Sequence, residues 1–117
     1  MNATLIDLPG RADRKPLLRL MKTFSLSKSE TGRLFGVSRQ AVDEWIGKGL
    51  PPTRAADVAR VADLARALHA RFIPDRIPQI VRAPMPGLEN HSILETIRLH
   101  GTVRVFNMLD RAFSYIP

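Results

Sequence analysis

Between residues 26 and 52 the chain carries two complete sets of helix start and stop signals, and this crowding constrains the fold more than anything else in the sequence. Ser27 and Glu30 stand at the spacing at which a serine hydroxyl and a glutamate carboxylate cap a helix start reciprocally, so a helix should begin at Lys28 and run to Leu34 or Phe35. Gly36 ends it, because glycine reaches the left-handed backbone of a tight exit without steric cost. Ser38 then caps another helix over 39–47, which Gly47, Gly49, Pro51 and Pro52 terminate. Two helices this short must cross closely. The small pair Thr31-Gly32 supplies room for the crossing, while Val37, Val42 and Trp45 or Ile46 fall where the second helix packs back on a core. Two short helices joined by a glycine-containing turn form the pattern of a DNA-binding helix-turn-helix.

The rest of the chain is also helical in its spacing, with no alternation of the kind a half-buried strand requires. Residues 1–14, with Pro9, Gly10 and a charged stretch at Arg11, Asp13 and Arg14, read as a frayed arm. A first helix fits 16–24, with Leu17, Leu20, Met21 and Phe24 on one face and Pro16 in its first turn. A long helix fits 53–72, capped by Thr53, in which Val58, Val61, Ala65, Leu68 and Phe72 recur at alternating spacings of three and four. Asp57–Arg60 and Asp63–Arg66 are opposite-charge pairs along it. Pro74 stops it, and a short helix over 75–82 is limited by Pro78. After the Pro- and Gly-containing stretch 83–90, Ser92 and Glu95 repeat the capping-box spacing for a helix over 93–99. Gly101 ends that helix, and Thr102 caps a last one over 103–116. The expected fold class is therefore all-α: a helix-turn-helix bundle over 15–73 followed by a small helical domain over 74–117, six or seven helices in all and no sheet.

Composition narrows the function. The chain of 117 residues has 18 Lys+Arg, 14 of them Arg, against 11 Asp+Glu, a formal charge of +7. The excess lies wholly within residues 1–83, and residues 84–117 are neutral. A basic front suits a polyanion, and a neutral, apolar back suits another protein. Cysteine is absent, which removes disulfide scaffolds, thiolate zinc sites, iron–sulfur clusters and cysteine nucleophiles. No apolar run approaches the roughly 20 residues of a membrane span, and residues 1–10 do not have the form of a secretory signal, so a cytoplasmic protein is expected. His69, His91 and His100 have no metal-site spacing among themselves or with carboxylates. Gly47-Lys48-Gly49 lacks the strand and the hydroxyl residue of a phosphate loop. No nucleophile–base pair is assembled, so neither an enzyme nor a resident cofactor or metal is expected.

In the helix-turn-helix geometry the start of the second helix enters the major groove. Its outward residues are Ser38, Arg39, Gln40, Asp43 and Glu44. Arg39 can read guanine and Gln40 adenine through paired hydrogen bonds, and Asp43 can accept from cytosine N4. Ser27, Lys28 and the helix N-termini are placed for phosphates, and Lys48 is a further candidate contact to DNA. Asp43 and Glu44 repel phosphate, and so also fit a helix pair that serves assembly instead of reading DNA.

The last helix has two apolar stripes. One is Val103, Phe106, Leu109, Phe113 and Ile116; the other is Val105, Met108, Ala112 and Tyr115. Burial on two sides needs either a central place in the protein's own bundle or a partner. Arg111 and Tyr115 are residue types favoured as interface anchors.

Residues 26–52, LSKSETGRLFGVSRQAVDEWIGKGLPP, resemble the helix-turn-helix of Xre-type regulators. Residues 78–116, with Pro86-Gly87-Leu88, the capped helix from Ser92, Gly101 and the stretch from Val103 to Asp110, resemble the C-terminal toxin-binding domain of Xre/MbcA/ParS-type antitoxins. The resemblance departs at Ile80-Val81 and at His91-Ser92-Ile93. It implies an antitoxin that docks on a RES-type, NAD-degrading toxin through its C-terminal domain and represses its own operon by binding operator DNA. It implies a homo-oligomer or a hetero-oligomer with the toxin, and a toxin-binding surface of Arg104, Asn107, Met108, Arg111, Ser114, Tyr115 and Ile116. The other reading of the same chain is a stand-alone regulator whose C-terminal domain only oligomerises.

Overall fold

The computed structural model describes residues 10–114, which form seven α-helices and two 3-10 turns with no strand among them. The helices are α1 (Lys15–Phe24), α2 (Lys28–Phe35), α3 (Arg39–Lys48), α4 (Pro52–Arg71), α5 (Ile77–Arg82), α6 (Ile93–His100) and α7 (Val103–Phe113). The 3-10 turns, Pro74–Arg76 and Pro86–Leu88, lie before α5 and after it. The fold is all-α, as the spacing predicts.

The local signals act where they stand. Ser27 Oγ accepts from the Glu30 N–H at 3.0 Å while Glu30 Oε1 accepts from the Ser27 N–H at 3.0 Å. The same reciprocal box closes the start of α6 through Ser92 and Glu95. Ser38 accepts from the Ala41 N–H at 3.0 Å. Gly36 takes the left-handed conformation, with φ 70°.

Several termini and caps differ from expectation, among them the end of the last helix, which comes at Phe113 and not at 116. The long helix starts at Pro52, so Thr53 lies inside it and caps nothing; Pro51 precedes it without a side-chain bond. Pro52 brings no N–H of its own to satisfy, and the Arg54 N–H donates to the Pro51 carbonyl at 2.9 Å. Thr102 makes no capping bond, because its backbone is already helical (φ −90°, ψ −16°) and its side chain is buried. The helix expected over 75–82 starts only at Ile77: Pro78 takes its second position, and Pro74–Arg76 form a 3-10 turn before it.

The arm expected over 1–14 is tied down from Arg11 onward. Ala12 and Leu50 exchange both backbone hydrogen bonds, at 2.7 and 2.9 Å, and an Arg11 guanidinium N–H donates to the Gly49 carbonyl at 3.2 Å. This contact explains Gly49: at φ 99° a Cβ there would come within 2.8 Å of the Ala12 oxygen. Residues 1–9 lie outside the described part of the chain.

Helix α1 packs along α4, α2 crosses α3, and α5, α6 and α7 close over them through α1–α5 and α2–α6 contacts. One continuous apolar core results. Leu17, Leu20, Phe24, Val58, Leu64, Leu68, Ile77, Val81, Ile93 and Val105 are all fully buried in it. Each such side chain contributes about 1.5–3 kcal/mol.

Candidate nucleic-acid and partner-docking surfaces

The α2–α3 pair is set by backbone proximity. A Cβ on Gly32 would lie 2.6 Å from the Val37 carbonyl oxygen, so α2 can approach the turn only with glycine there. Val42 and Trp45 are buried beneath α3. The Trp45 ring meets Phe35 edge-on, with centroids 6.0 Å apart. Arg54 of α4 caps this pair: its guanidinium lies 5.9 Å from the Trp45 ring centroid and donates to the Phe35 carbonyl at 3.0 Å. The sequence reading missed Arg54.

Packing in this way turns Ser38, Arg39, Gln40, Asp43, Glu44 and Lys48 outward, all exposed, beside exposed Ser27 and half-buried Lys28. The charges on this surface are largely matched. Lys28 Nζ sits 2.5 Å from Asp43 Oδ1. The hydrogen bond from Lys28, helped by the positive charges of Lys28 and Arg39, holds Asp43 below the ordinary carboxylate range. Glu44 lies between Arg11 at 3.8 Å and Lys48 at 4.0 Å. The acids of α3 are thus partnered by Lys28 and Lys48, both candidate DNA contacts, and by Arg11. Arg39 and Gln40 make no side-chain hydrogen bond or ion pair among the described residues.

A second feature absent from the sequence reading is Arg82, at the end of α5. Its guanidinium donates to the carbonyls of Phe24 (2.8 Å), Pro78 (2.8 Å) and Ser25 (3.0 Å), and it pairs with Glu30 at 3.1 Å. It therefore closes the exit of α1 and grips the carboxylate that caps α2. The backbone hydrogen bond from Ser27, and then Arg82, keep Glu30 below the usual carboxylate value.

The last helix does not have two buried faces. Val105 and Leu109 are buried, Phe106, Met108 and Phe113 are half-buried, and Val103 is 65% exposed. One arc faces the core, with Phe113 edge-on to Phe72 at 5.6 Å and Arg71 stacked 4.8 Å from its ring. The opposite stripe presents Arg104, Asn107 and Arg111 to solvent, and Ser114 is exposed just beyond. Met108 is turned inward against Gly87, where an added Cβ would come within 3.3 Å of its side chain. Tyr115 and Ile116 lie outside the described residues. Arg104, Asn107 and Arg111 line one shallow cleft of about 200 Å³ with the 87–91 turn and with His100. Among the described residues no cluster of three or more His, Asp or Glu could hold a metal ion, and no helix is long and apolar enough to cross a membrane.

No family model matches the chain and no curated protein matches it. A solved structure does. The chain superposes with a TM-score of 0.71 on a chain of the crystal structure of the M. tuberculosis MbcT–MbcA toxin–antitoxin complex, at 19% sequence identity. The match covers 86% of this chain and 95% of that one.

Proposed function

We propose that the chain is an antitoxin: it neutralises a toxin protein by docking through the exposed side of α7 and binds operator DNA through α3. The observation that carries this reading is the likeness of nearly the whole chain to a chain of a toxin–antitoxin complex. The outward stripe of Arg104, Asn107 and Arg111, with exposed Ser114 just beyond it, supports the docking half. Exposed Ser38, Arg39 and Gln40 at the start of α3, on the basic part of the chain, support the DNA half. In this reading the partner is a RES-type, NAD-degrading enzyme whose active site the C-terminal region obstructs, and the antitoxin itself catalyses nothing. The test is a tagged pull-down from the native host at low salt. A stoichiometric partner encoded beside this chain, whose NAD consumption stops on adding the chain, is the expected result. Recovery of the chain alone as a homo-oligomer would replace the reading with that of a stand-alone regulator.

The Lys28–Asp43 and Lys48–Glu44 pairs favour a second reading of the DNA half, in which the α2–α3 pair serves assembly. Binding to a duplex of the upstream DNA decides between them. A DNA reader loses affinity with salt at a log–log slope of about −0.9 per phosphate neutralised, and Arg39→Ala relaxes its base preference. An assembly module gives no salt-sensitive binding.

A further inference from the structure

We infer that the cleft between α7 and the 87–91 turn is a receptor for a single acidic side chain of the docked protein. The inference rests on the antitoxin reading and names the chemistry of its partner at this spot. Arg104, Asn107 and Arg111 recur at helical spacings of three and four, so they project from one stripe of α7. Opposite them stand His100, at the end of α6, and His91. Arg104 and Arg111 are exposed and make no side-chain hydrogen bond or ion pair among the described residues, so both guanidinium groups can turn to a partner. The cleft therefore gathers two guanidinium groups, which only donate, and an amide whose NH2 can donate beside them, with one carboxylate, Glu89, on its wall. Such a set suits an anion held by forked hydrogen bonds.

Size selects the occupant. Sites for cofactors and small molecules enclose about 300–1,000 Å³, and this cleft has about 200 Å³. It admits an aspartate or glutamate side chain and is too small for a dinucleotide. Residues 84–117 are neutral overall, so the local excess of donors is a matter of placement and not of a general basic surface.

The test is titration calorimetry of the full chain against the toxin recovered in the pull-down. Arg104→Gln with Arg111→Gln should weaken the complex by roughly 30-fold or more, the loss expected when one side of a buried interfacial charge pair is removed. The thermal midpoint should stay unchanged, because both side chains are exposed. Lysines at both positions should restore only part of the affinity, since they return charge without the fork. Glu89→Gln should tighten the complex by removing the competing carboxylate. Wild-type affinity in the double glutamine variant would overturn the inference while leaving the antitoxin reading intact. Failure of the wild-type chain to bind any co-encoded protein would instead overturn that reading, and the inference with it. Tight binding of inorganic phosphate alone, with complex formation indifferent to both arginines, would make the cleft a small-anion site and would also overturn the inference.

Discussion

Two glycines within helices should respond to alanine in opposite directions, and the difference tests the geometry of the α2–α3 crossing. Gly32 and Gly47 both lie within helices, and neither has a positive φ. Replacing glycine by alanine in such a place gains about 0.5–1 kcal/mol from backbone entropy. At Gly47 a Cβ meets nothing within 4 Å, so that gain should appear in full. At Gly32 the Cβ would lie 2.6 Å from the Val37 oxygen and 3.3 Å from both the carbonyl carbon and the oxygen of Ser38. These are backbone atoms of a turn held by the Val37 N–H donating to the Gly32 carbonyl at 2.8 Å, so no rotamer change can relieve the clash. Overpacking of this kind costs about 1–3 kcal/mol, and more when backbone must move. The net effect of Gly32→Ala is therefore a loss of about 1–2 kcal/mol, against a gain of about 0.5–1 for Gly47→Ala. For a domain of this size each kcal/mol corresponds to about 4 °C in Tm. Thermal melts of the two variants should thus diverge by some 6–12 °C, and their urea midpoints should separate in the same order. If Gly32→Ala matched or exceeded the stability of the wild type, the close approach of α2 to the turn would be wrong, and with it the placement of α3.

Other substitutions probe the charge arrangement. Arg82→Gln should cost about 1–2 kcal/mol in urea melts, below the gross value of its hydrogen bonds because the side chain is partly solvated. Arg82→Lys should recover little of it, since an ammonium cannot reach three carbonyls and a carboxylate at once. Asp43→Asn should release Lys28 and raise affinity for duplex DNA of any sequence; a change confined to one base position would instead make Asp43 a base reader. Glu30, Asp43 and Glu95 all titrate below their ordinary values, each chiefly through a hydrogen bond: from the Ser27 N–H, from Lys28 and from the Ser92 N–H respectively. A lowered folded-state pKa stabilises the fold above the unfolded value and is lost as pH falls through the folded one. Stability in urea should therefore be level above the ordinary carboxylate range and decline below about pH 4.5, and Glu30→Gln with Glu95→Gln should flatten that decline.

What could be read from the sequence was local. Ser27 with Glu30, Ser38 with Ala41, and Ser92 with Glu95 each bond within three residues, so their spacing alone reveals them. The contacts that orient the surfaces span far greater separations: 19 residues for Arg54 and Phe35, 38 for Arg11 and Gly49, and 52 to 58 for Arg82 with Glu30, Ser25 and Phe24. No periodicity encodes a single arginine reaching across the fold. The pairing of Lys28 with Asp43 is hidden for the same reason, although the pattern puts both on one surface. The last helix departs from its hydropathy pattern for another cause. Its apolar residues cover more of the circumference than the core accepts, and hydropathy cannot say that Val103 lies on the solvent side while Met108 is drawn in by the space Gly87 leaves.

The shared core decides how the two halves can be studied. Ile77, Val81 and Ile93 are fully buried and Ile97 is 7% exposed, and their helices lie on α1 and α2. Four aliphatic side chains of this kind represent up to about 6–12 kcal/mol of burial, comparable with the whole stability of a typical domain, about 5–15 kcal/mol. Arg82 adds the closure of α1 and α2. A fragment ending at residue 73 would leave those faces of α1 and α2 in water. It should unfold at a much lower urea concentration than the full chain and with a shallower transition, since less surface is exposed on unfolding. Loss of DNA binding in that fragment would then report on stability and not on the reading helix, so Arg39→Ala in the full chain is the sounder probe. A fragment 15–73 that melted as cooperatively as the whole chain would refute this account, because it would require a front half whose core is complete without α5 and α6.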